Sequence, residues 1–345
     1  MIPSIHDTIT TLLRERGLDR RTCYTSVAAL PPDGAVIEVL CSDAAIAGEL
    51  QRRLAGAGVA AQVRALPAPG VPELMLVVSG VADVRREPSH PSELVSQIIF
   101  GDTVIPLRTD GDWVLARLDD GYIGWIRDWH LKPWTRQKRD EFASRSAHRI
   151  RPNHAEVLSA PEASAPPIAQ LVVGTPVAAP EPPVKGWLAV ELADGRRGHL
   201  RRAQIERTPH GRATPQRLAR TGLRFAGVPY LWGGTTPNGF DCSGLMQRIF
   251  RLNGVILPRD SDMQARIGLD RLPADPAAAQ PGDLLFFGRS ADAITHVGLV
   301  LPDRTFLHAY GQVIVNSLDT GSERYSERLA SIWRLTRSPL RTRRS

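Results

Sequence analysis

The N-terminal part of the chain alternates between amphipathic stretches and short apolar runs. Apolar side chains recur at helical spacing in residues 6–19, which predicts a short amphipathic helix. Residues 44–57 are rich in alanine, leucine and arginine and end at glycine, which predicts a second helix. The apolar runs predicted as strands are VIEVLC (36–41), AQVRAL (61–66) and LMLVVS (74–79). We therefore expect residues 1–72 to form a small α/β segment, and the sequence does not indicate its role.

The middle of the chain repeats itself. Segment 111–131 aligns without gaps on segment 185–205, and each copy is expected to have an alternating strand ending in a tryptophan, an Asp-Gly turn and a second strand beginning near a glycine. Matched positions include Trp113 with Trp187, Tyr122 with Arg196, Trp125 with His199, and Arg127 with Arg201. The Asp-Gly pair supplies the positive φ angles that a tight hairpin requires. Regularly spaced short strands of this kind predict a small β-barrel or sandwich for each copy.

The two copies resemble bacterial SH3 domains, which commonly end in this type of hairpin. We expect the first domain at 73–135 and the second at 148–208, with the charged stretch 136–149 as a connector. The tryptophans are most simply core residues. In the second copy, Arg196 replaces Tyr122 and His199 replaces Trp125. The second domain is therefore expected to have a structural or spacing role rather than a second binding site.

The last part of the chain, 210–338, has a different pattern. A helical segment is followed by a glycine-rich loop and a second helical segment, and then by a series of apolar runs. The apolar runs are LLFFG (284–288), HVGLVL (296–301), TFLHAY (305–310) and VIVNS (313–317). One pair of helices followed by a meander of strands predicts an α+β domain.

Cys242 is the first candidate for chemistry in this domain. The helical spacing that follows it places Cys242 in the first turn of a helix, with Asp241 or Ser243 available as the cap. The positive end of the helix dipole favours thiolate over thiol, and the unpaired N–H groups of the first turn can bind an oxyanion. The alternative is a small buried apolar side chain, as most free cysteines are.

Two histidines downstream can supply the base. His296 begins one predicted strand and His308 lies in the next, and directly opposed residues on antiparallel neighbours are about 5 Å apart. One imidazole can then face the sulfur while the other fixes its tautomer. The alternative is a pair of ordinary strand histidines. No spacing typical of a zinc site is present, and we expect neither metal nor cofactor.

These residues together resemble the NlpC family of cell-wall cysteine peptidases, which have a papain-like core. The resemblance rests on F-D-C-S-G after Y-L-W-G-G, on P-G-D-L-L-F-F, and on T-H-V-G-L-V followed by H-A, within 210–338. It implies Cys242 as the nucleophile, His296 as the general base and acid, and His308 as the third member. It also implies that Pro281-Gly282-Asp283 is structural.

Two SH3-like domains before such a domain further resemble the γ-D-glutamyl-L-diamino acid endopeptidases, which cleave murein stem peptides that have a free N-terminal L-Ala. In that group the first SH3 domain closes one end of the groove. The residues implied to bind substrate are Glu87, Tyr122, Tyr230, Asp241, Ser243 and Ser261. Glu87 and Asp241 would supply negative charge for the ammonium, and an unpaired buried carboxylate would reject a blocked terminus.

Each of these assignments has a plainer alternative. Glu87 can be a solvated turn residue, Tyr122 a barrel aromatic and Asp241 a helix cap. For the whole protein, the alternatives are an endopeptidase that accepts wall-attached stems, a non-catalytic wall-binding protein built on the SH3 pair, and an acyltransferase on the same core. The partner expected from the main interpretation is a murein-derived peptide, L-Ala-γ-D-Glu-diamino acid, bound by a monomer.

Composition and charge exclude several other classes of protein. The chain has 345 residues, 42% hydrophobic and 23% charged, which is typical of a globular protein with two or three domains. The net charge is +7, but the arginines are spread along the chain, so we expect no nucleic-acid partner. The sequence contains no apolar stretch near the length of about 18 residues that would predict a membrane span. Three cysteines and an N-terminus without a signal-peptide pattern favour a cytoplasmic location, or the cell wall if a leader has been removed.

Overall fold

The structure is a computed structural model that consists of four successive regions of α-helix and β-sheet. It describes residues 5–27, 36–208, 213–267, 271–272, 276–290, 292–327 and 332–336. The predicted α+β class is confirmed: six helices and mainly antiparallel sheets are present in these ranges. Of the described helices, none has the length and apolar character needed to span a bilayer. The predicted domain boundaries stay a prediction, although each region has sheets of its own.

The N-terminal region is a separate small α/β unit. Strands β2 and β3 are parallel, with α2 as the crossover, and β1 pairs antiparallel with β2. The elements are α1 (Ile5–Glu15), β1 (Thr25–Val27), β2 (Ile37–Cys41), α2 (Ala44–Gly56) and β3 (Ala61–Ala65). Helix α1 ends earlier than the sequence predicts because the chain turns at Gly17, whose φ is 62°. Its apolar face covers the sheet together with α2.

The first SH3-like region forms one seven-stranded sheet in the order β10-β4-β7-β8-β9-β5-β6. Its strands are β4 (Leu74–Val77), β5 (Val81–Arg85), β6 (Leu94–Ile99), β7 (Thr103–Asp110), β8 (Trp113–Arg117), β9 (Ile123–Arg127) and β10 (Leu131–Trp134). The predicted turn between β8 and β9 is present, and Gly121 has the positive φ, 88°, that it requires. The sheet is open, with β10 and β6 at its edges, rather than the closed barrel predicted.

The second SH3-like region has two sheets, of three and four strands, and is also open. Its strands are β11 (His148–Ile150), β12 (His154–Leu158), β13 (Pro167–Val172), β14 (Pro176–Val177), β15 (Trp187–Glu191), β16 (Arg197–Arg201) and β17 (Ile205–Arg207). The charged connector before it is a helix, α3 (Arg136–Arg145), capped by Thr135. A helix was not predicted there because the stretch has no apolar face. Its one buried side chain, Phe142, packs into the core of the second region and holds α3 in place.

The C-terminal region packs three helices against a six-stranded sheet in the order β20-β25-β21-β22-β23-β24. Its helices are α4 (Pro215–Leu223), α5 (Cys242–Arg251) and α6 (Ser261–Arg266). Its strands are β18 (Thr235–Thr236), β19 (Gly239–Phe240), β20 (Arg271–Leu272), β21 (Leu284–Gly288), β22 (Ile294–Leu301), β23 (Thr305–Tyr310), β24 (Gln312–Ser317) and β25 (Ile332–Thr336). Helix α5 lies against β22 and β23 and is almost completely buried.

Candidate active site

Cys242 is the first residue of α5, as the sequence predicts. The short β18–β19 hairpin leads directly into the helix, and Asp241 is its N-cap: Oδ1 accepts a hydrogen bond of 2.7 Å from the Gly244 N–H. Position 244 must be glycine because a Cβ there would lie 2.1 Å from the carbonyl oxygen of Gly234. The hairpin and the helix start are thus held in direct contact, which fixes the place of the sulfur.

The Asp241 carboxylate is fully engaged by the protein. Arg259, 1% exposed, donates to Oδ2 at 2.5 Å and to Oδ1 at 3.1 Å, and the Gly233 N–H donates to Oδ2 at 3.0 Å. Arg259 also donates to the Ser243 hydroxyl at 2.9 Å. The expectation of an unpaired carboxylate at Asp241 is therefore wrong. Its charge is neutralised by Arg259, which lies two residues before Ser261 and to which the sequence gave no role.

The Cys242 side chain is buried, with 7% of the residue exposed, and its Sγ lies 4.0 Å from the carbonyl oxygen of Thr295. Burial raises the pKa of the Cys242 thiol to about 12, with a further contribution from the negative charge of Asp241. The helix dipole was expected to favour the thiolate, but desolvation outweighs it in the resting structure. The sulfur is therefore held as a thiol until a base removes its proton.

We expect this state to be visible in the pH dependence of alkylation. The rate at which iodoacetamide modifies Cys242 should rise about tenfold for each pH unit between roughly pH 7 and pH 10. Only the thiolate reacts, and at pH values below the pKa its fraction increases about tenfold for each pH unit. Mass spectrometry of the modified peptide gives the rate, and a Cys242→Ala variant gives the background from the two other thiols. A rate that levels off below pH 8 would instead indicate a preformed thiolate–imidazolium pair.

The two histidines and an asparagine form a continuous hydrogen-bonded chain. His296 Nε2 lies 2.8 Å from His308 Nδ1, and His308 Nε2 lies 2.7 Å from Asn316 Oδ1. The amide nitrogen of Asn316 donates to the carbonyl oxygen of Arg324 at 2.9 Å, so its Oδ1 faces His308 as an acceptor. His308 therefore carries its proton on Nε2 and accepts at Nδ1 from His296. His296 is left with an unprotonated Nδ1 that can serve as a base.

The geometry of the histidine pair differs in detail from the prediction. The β22–β23 register brings His308 next to Gly298 rather than directly opposite His296: a Cβ at Gly298 would lie 3.4 Å from the Cβ of His308. Because glycine leaves that space open, the rings meet diagonally, with centroids 5.0 Å apart and nearly perpendicular planes. Asn316, on β24, was missed because only the strand register shows that it reaches His308.

Asn316 should act as a positioning residue for this chain. In Asn316→Ala, His308 loses the acceptor that fixes its tautomer, so a fraction of His296 would carry its proton on Nδ1, the proposed basic atom, instead of on Nε2. We expect kcat to fall about 10²-fold, the lower end of what a positioned acid–base group contributes, with KM nearly unchanged. Asn316→Asp retains the acceptor and should restore most of kcat. Equal kcat values for the alanine variant and the wild type would contradict this role.

A cavity of about 280 Å³ gives access to the sulfur. The residues that line it are Tyr230, Cys242, Thr295, His296, Ala309, Tyr310 and Gly311. Tyr230 is half-buried, and its burial raises the pKa of its phenol to about 12. The charges of Cys242 and Asp241 raise this pKa by smaller amounts, so Tyr230 remains a hydrogen-bond donor in this cavity. Of the residues predicted to bind substrate, Tyr230 is the one that lines this cavity.

Tyr122 and Ser261, also predicted to bind substrate, lie where the first SH3-like region meets the C-terminal region. Tyr122 is 3% exposed and shares a core with Met263 of α6. Its burial and, to a smaller extent, the negative charge of Asp260 raise the pKa of its phenol above the usual value. Ser261 begins α6 and is also buried. Glu87 is different: it is exposed in the loop between β5 and β6, and no ion pair of its carboxylate is present among the described residues.

That loop and its strand contact the segment just before Cys242. Glu93 Oε1 accepts a hydrogen bond of 2.8 Å from the indole of Trp232. The Gln97 side chain and backbone bind Thr235 and Thr236 with three hydrogen bonds of 2.9–3.3 Å. The first SH3-like region therefore borders the candidate site.

The N-terminal region reaches the same junction through the loop after α1. Arg21 donates to Asp260 at 2.7 Å and to Asp262 at 2.7 and 2.8 Å, and its carbonyl accepts from the Ile123 N–H at 2.8 Å. Because Ser261 lies between the two aspartates and Ile123 follows Tyr122, Arg21 ties together the two segments that carry these predicted residues. The N-terminal segment, whose role the amino-acid sequence did not indicate, thus contacts both sides of this junction.

A buried cysteine at a helix start, next to a histidine pair on an antiparallel sheet, defines an α+β cysteine peptidase. Within the described residues no group of three His, Cys, Asp or Glu side chains could hold a metal ion. The NlpC/P60 family model matches residues 227–334, and the model of the bacterial dipeptidyl-peptidase Sh3 domain matches residues 84–131. The chain belongs to the NlpC/P60 family, which confirms the resemblance.

Similar proteins extend this agreement over most of the chain. Dipeptidyl-peptidase 6 of Lysinibacillus sphaericus is 31% identical over 268 residues, which cover 74% of this chain and 96% of the relative. The gamma-D-glutamyl-L-lysine dipeptidyl-peptidase of Bacillus subtilis (strain 168) is 33% identical over 227 residues, 62% of this chain and 71% of the relative. The crystal structure of an NlpC/P60 family protein from Bacillus cereus ATCC 10987 has a TM-score of 0.64 at 22% identity, covering 76% and 99% of the two chains, and it supports the fold.

Proposed function

We propose that this protein hydrolyses the γ-D-glutamyl–L-diamino acid bond of murein peptides that have a free N-terminal L-Ala. The name of the similar gamma-D-glutamyl-L-lysine dipeptidyl-peptidase supports this substrate class, and the name of dipeptidyl-peptidase 6 supports release of a dipeptide. The product would be the dipeptide L-Ala-γ-D-Glu together with the remainder of the stem peptide. Such a substrate is a product of wall turnover, since in the intact wall the L-Ala amine is joined to a sugar. A cytoplasmic location and a monomeric state stay predictions.

In this proposal the thiol of Cys242 transfers its proton to Nδ1 of His296 as the sulfur attacks the γ-carbonyl of D-Glu. The first-turn N–H groups of α5 stabilise the oxyanion. The imidazolium, supported by His308 and Asn316, gives the proton to the amine of the diamino acid as the C–N bond breaks, leaving a thioester. His296 then takes a proton from water, which attacks the thioester and releases the dipeptide and the Cys242 thiol.

The observation that carries the proposal is the contact of the first SH3-like region with both segments that flank Cys242. The β5–β6 loop and β6 bind residues 232–236 on one side, and the core around Tyr122 receives Met263 of α6 on the other. In this proposal the first SH3-like region, packed across both flanks, blocks one end of the substrate groove. A blocked end favours cleavage at a fixed distance from a chain terminus over cleavage within a long polymer.

Recognition of the L-Ala ammonium falls mainly to Glu87 in this proposal, because the charge of Asp241 is already neutralised by Arg259. Arg86, the neighbour of Glu87, is paired with Glu93 at 2.6 Å, which leaves the Glu87 carboxylate available to a ligand. Tyr122, Ser243 and Ser261 would act by shaping the bordering wall, since all three are buried. Asp241 would contribute only through the geometry that it imposes on the start of α5.

Glu87→Gln should therefore weaken substrate binding without affecting the chemistry. We expect KM for L-Ala-γ-D-Glu-L-Lys to rise about tenfold, the loss typical of a hydrogen bond to a charged group, with kcat within about twofold. Asp110→Asn, which removes an exposed carboxylate of the same region, is the matched control and should leave KM unchanged. If KM is the same for Glu87→Gln and the wild type, Glu87 is a solvated turn residue.

Mass spectrometry of reaction products tests the proposed bond and substrate together. The free tripeptide should yield L-Ala-γ-D-Glu and the diamino acid, and the free tetrapeptide should yield L-Ala-γ-D-Glu and the diamino acid joined to D-Ala. Intact sacculi should release no L-Ala-γ-D-Glu. Cleavage of sacculi at a comparable rate would support the endopeptidase alternative. If an added amine is incorporated into the product in place of water, the protein is an acyltransferase. Release of no product from any substrate would support a wall-binding protein without activity.

A further inference from the structure

The second SH3-like region contains a cavity to which the proposed function gives no role. It has a volume of about 860 Å³ and is bounded by β12, β13, β15 and β16, with Asn238 of the β18–β19 turn at its edge. The polar and aromatic side chains that line it are His154, Glu156, Gln170, Trp187, Arg201 and Gln204. It shares no lining residue with the cavity at Cys242. The two cavities are therefore separate.

The first SH3-like region provides a comparison for Arg201, the arginine at this cavity. Arg127 of the first SH3-like region lies over the rings of Trp113 and Trp129, and it is neutralised by Asp112 at 3.1 Å. The corresponding arginine of the second region is Arg201. The first region thus has a stacked arginine whose charge is satisfied within the domain, and it provides an internal reference for the second.

In the second region the arginine is retained and its carboxylate partner is lost. Arg201 stacks on Trp187 at 3.8 Å from the ring centroid, closer than its counterpart lies to Trp113. Gly186 stands where the first copy has Asp112, and Arg202 stands where it has Asp128. No carboxylate of the described chain lies within ion-pair distance of Arg201, which is exposed at the cavity. Its guanidinium is held in place by the indole and is not neutralised.

A guanidinium fixed on an indole is suited to a planar anion, because its parallel N–H groups match the two oxygens of a carboxylate. The amides of Gln170, Gln204 and Asn238 add donors and acceptors for peptide groups, and Glu156 supplies a negative charge for an amine. We propose that this cavity binds a second murein stem peptide through one of its free carboxylates. The choice of stem peptide rests on the proposed function, whereas the carboxylate specificity rests on Arg201.

The place of the cavity relates it to the reaction. His154 Nε2 lies 2.9 Å from Asn238 Oδ1, in the turn of the hairpin that leads into Cys242. A ligand in the cavity therefore contacts the turn of the same hairpin at Asn238. The second SH3-like region thus becomes a peptide-binding domain, rather than the spacer that its sequence suggested.

The test is calorimetric titration of a Cys242→Ala protein with N-acetyl-L-Ala-γ-D-Glu-L-Lys. This probe retains the carboxylates but lacks the N-terminal ammonium that the Cys242 groove is proposed to bind, and the variant cannot consume it. We expect one bound peptide per chain, with Kd raised at least about tenfold when Arg201→Ala is added. Arg197→Ala, which removes an exposed arginine of the same strand paired with Glu191, should change Kd less than twofold.

Absence of binding, or equal Kd values for the Arg201→Ala and Arg197→Ala proteins, would overturn the inference. Circular dichroism of both variants ensures that a loss of binding does not reflect unfolding, and Arg201→Lys should restore only part of the affinity because lysine keeps the charge but not the planar fork. Cleavage of the free tripeptide by the wild type, measured in parallel, tests the proposed function separately, so the two can fail independently.

Discussion

Cys242→Ala is expected to lower kcat for the free tripeptide at least about 10⁴-fold, the loss typical when a covalent nucleophile is removed. Alanine keeps the buried position at the start of α5 but leaves His296 with no thiol to deprotonate. Steady-state release of L-Ala-γ-D-Glu, followed by liquid chromatography, measures the effect. Cys23→Ala is the matched control, since Cys23 is equally buried but lies in the N-terminal core, and its activity should equal that of the wild type.

Full activity of Cys242→Ala would contradict the peptidase account and would support the alternative in which the SH3-like pair binds the wall and the C-terminal region is inert. A partial loss shared equally by the Cys23→Ala and Cys242→Ala variants would show a general effect of thiol removal on folding. Neither result is expected, because Cys242 and His296 line the same cavity and His296 is hydrogen-bonded to His308.

Arg259→Met is expected to have the largest effect on local stability. The methionine fills much of the volume but leaves the buried Asp241 carboxylate without a counter-charge, which costs about 3 kcal/mol. Because Asp241 caps α5, the helix start should open more often. Hydrogen exchange of the first amides of α5 should therefore be about 10²-fold faster, measured by mass spectrometry of the α5 peptide.

Two further variants separate charge from packing. Arg266→Ala removes an exposed arginine of α6 and should leave exchange in α5 unchanged, because exposed ion pairs contribute about 1 kcal/mol at most. Adding Asp241→Asn to Arg259→Met removes the unpaired charge and should recover part of the protection. If the double variant exchanges faster than Arg259→Met alone, the pair stabilises the site by packing and not by charge compensation.

Local patterns predicted most of the fold. Helical spacing after Cys242 predicted the start of α5, and the alternating runs around His296 and His308 predicted β22 and β23. The Asp-Gly turns predicted both SH3-like hairpins. The resemblance to a known family supplied the roles of the three candidate catalytic residues, which neither helix position nor lone histidines could establish.

What the sequence could not show depends on contacts between distant segments. Arg259 meets Asp241 only when the loop before α6 folds back on α5, and Asn316 meets His308 only through the β23–β24 register. The predicted role of Asp241 as a free carboxylate failed for that reason. The thiol state of Cys242 likewise reflects burial by the whole domain, which outweighs the local helix dipole.

The role of the N-terminal region could not be predicted from the sequence. Its helices and strands followed from apolar periodicity, but Arg21 lies in a turn without any recognisable motif. Only the three-dimensional structure shows that Arg21 joins Asp260 and Asp262 to the turn that carries Tyr122. This region therefore stabilises the junction between the first SH3-like region and α6.

Recognition of the free amine of L-Ala by the protein is tested most directly by the ratio of two kcat/KM values. L-Ala-γ-D-Glu-L-Lys and its N-acetylated form should be compared on the wild-type protein under identical conditions. We predict that acetylation lowers kcat/KM at least about 10³-fold, because it removes the charge that Glu87 binds and lengthens the substrate at the blocked end of the groove. Equal cleavage of the two peptides would contradict the account.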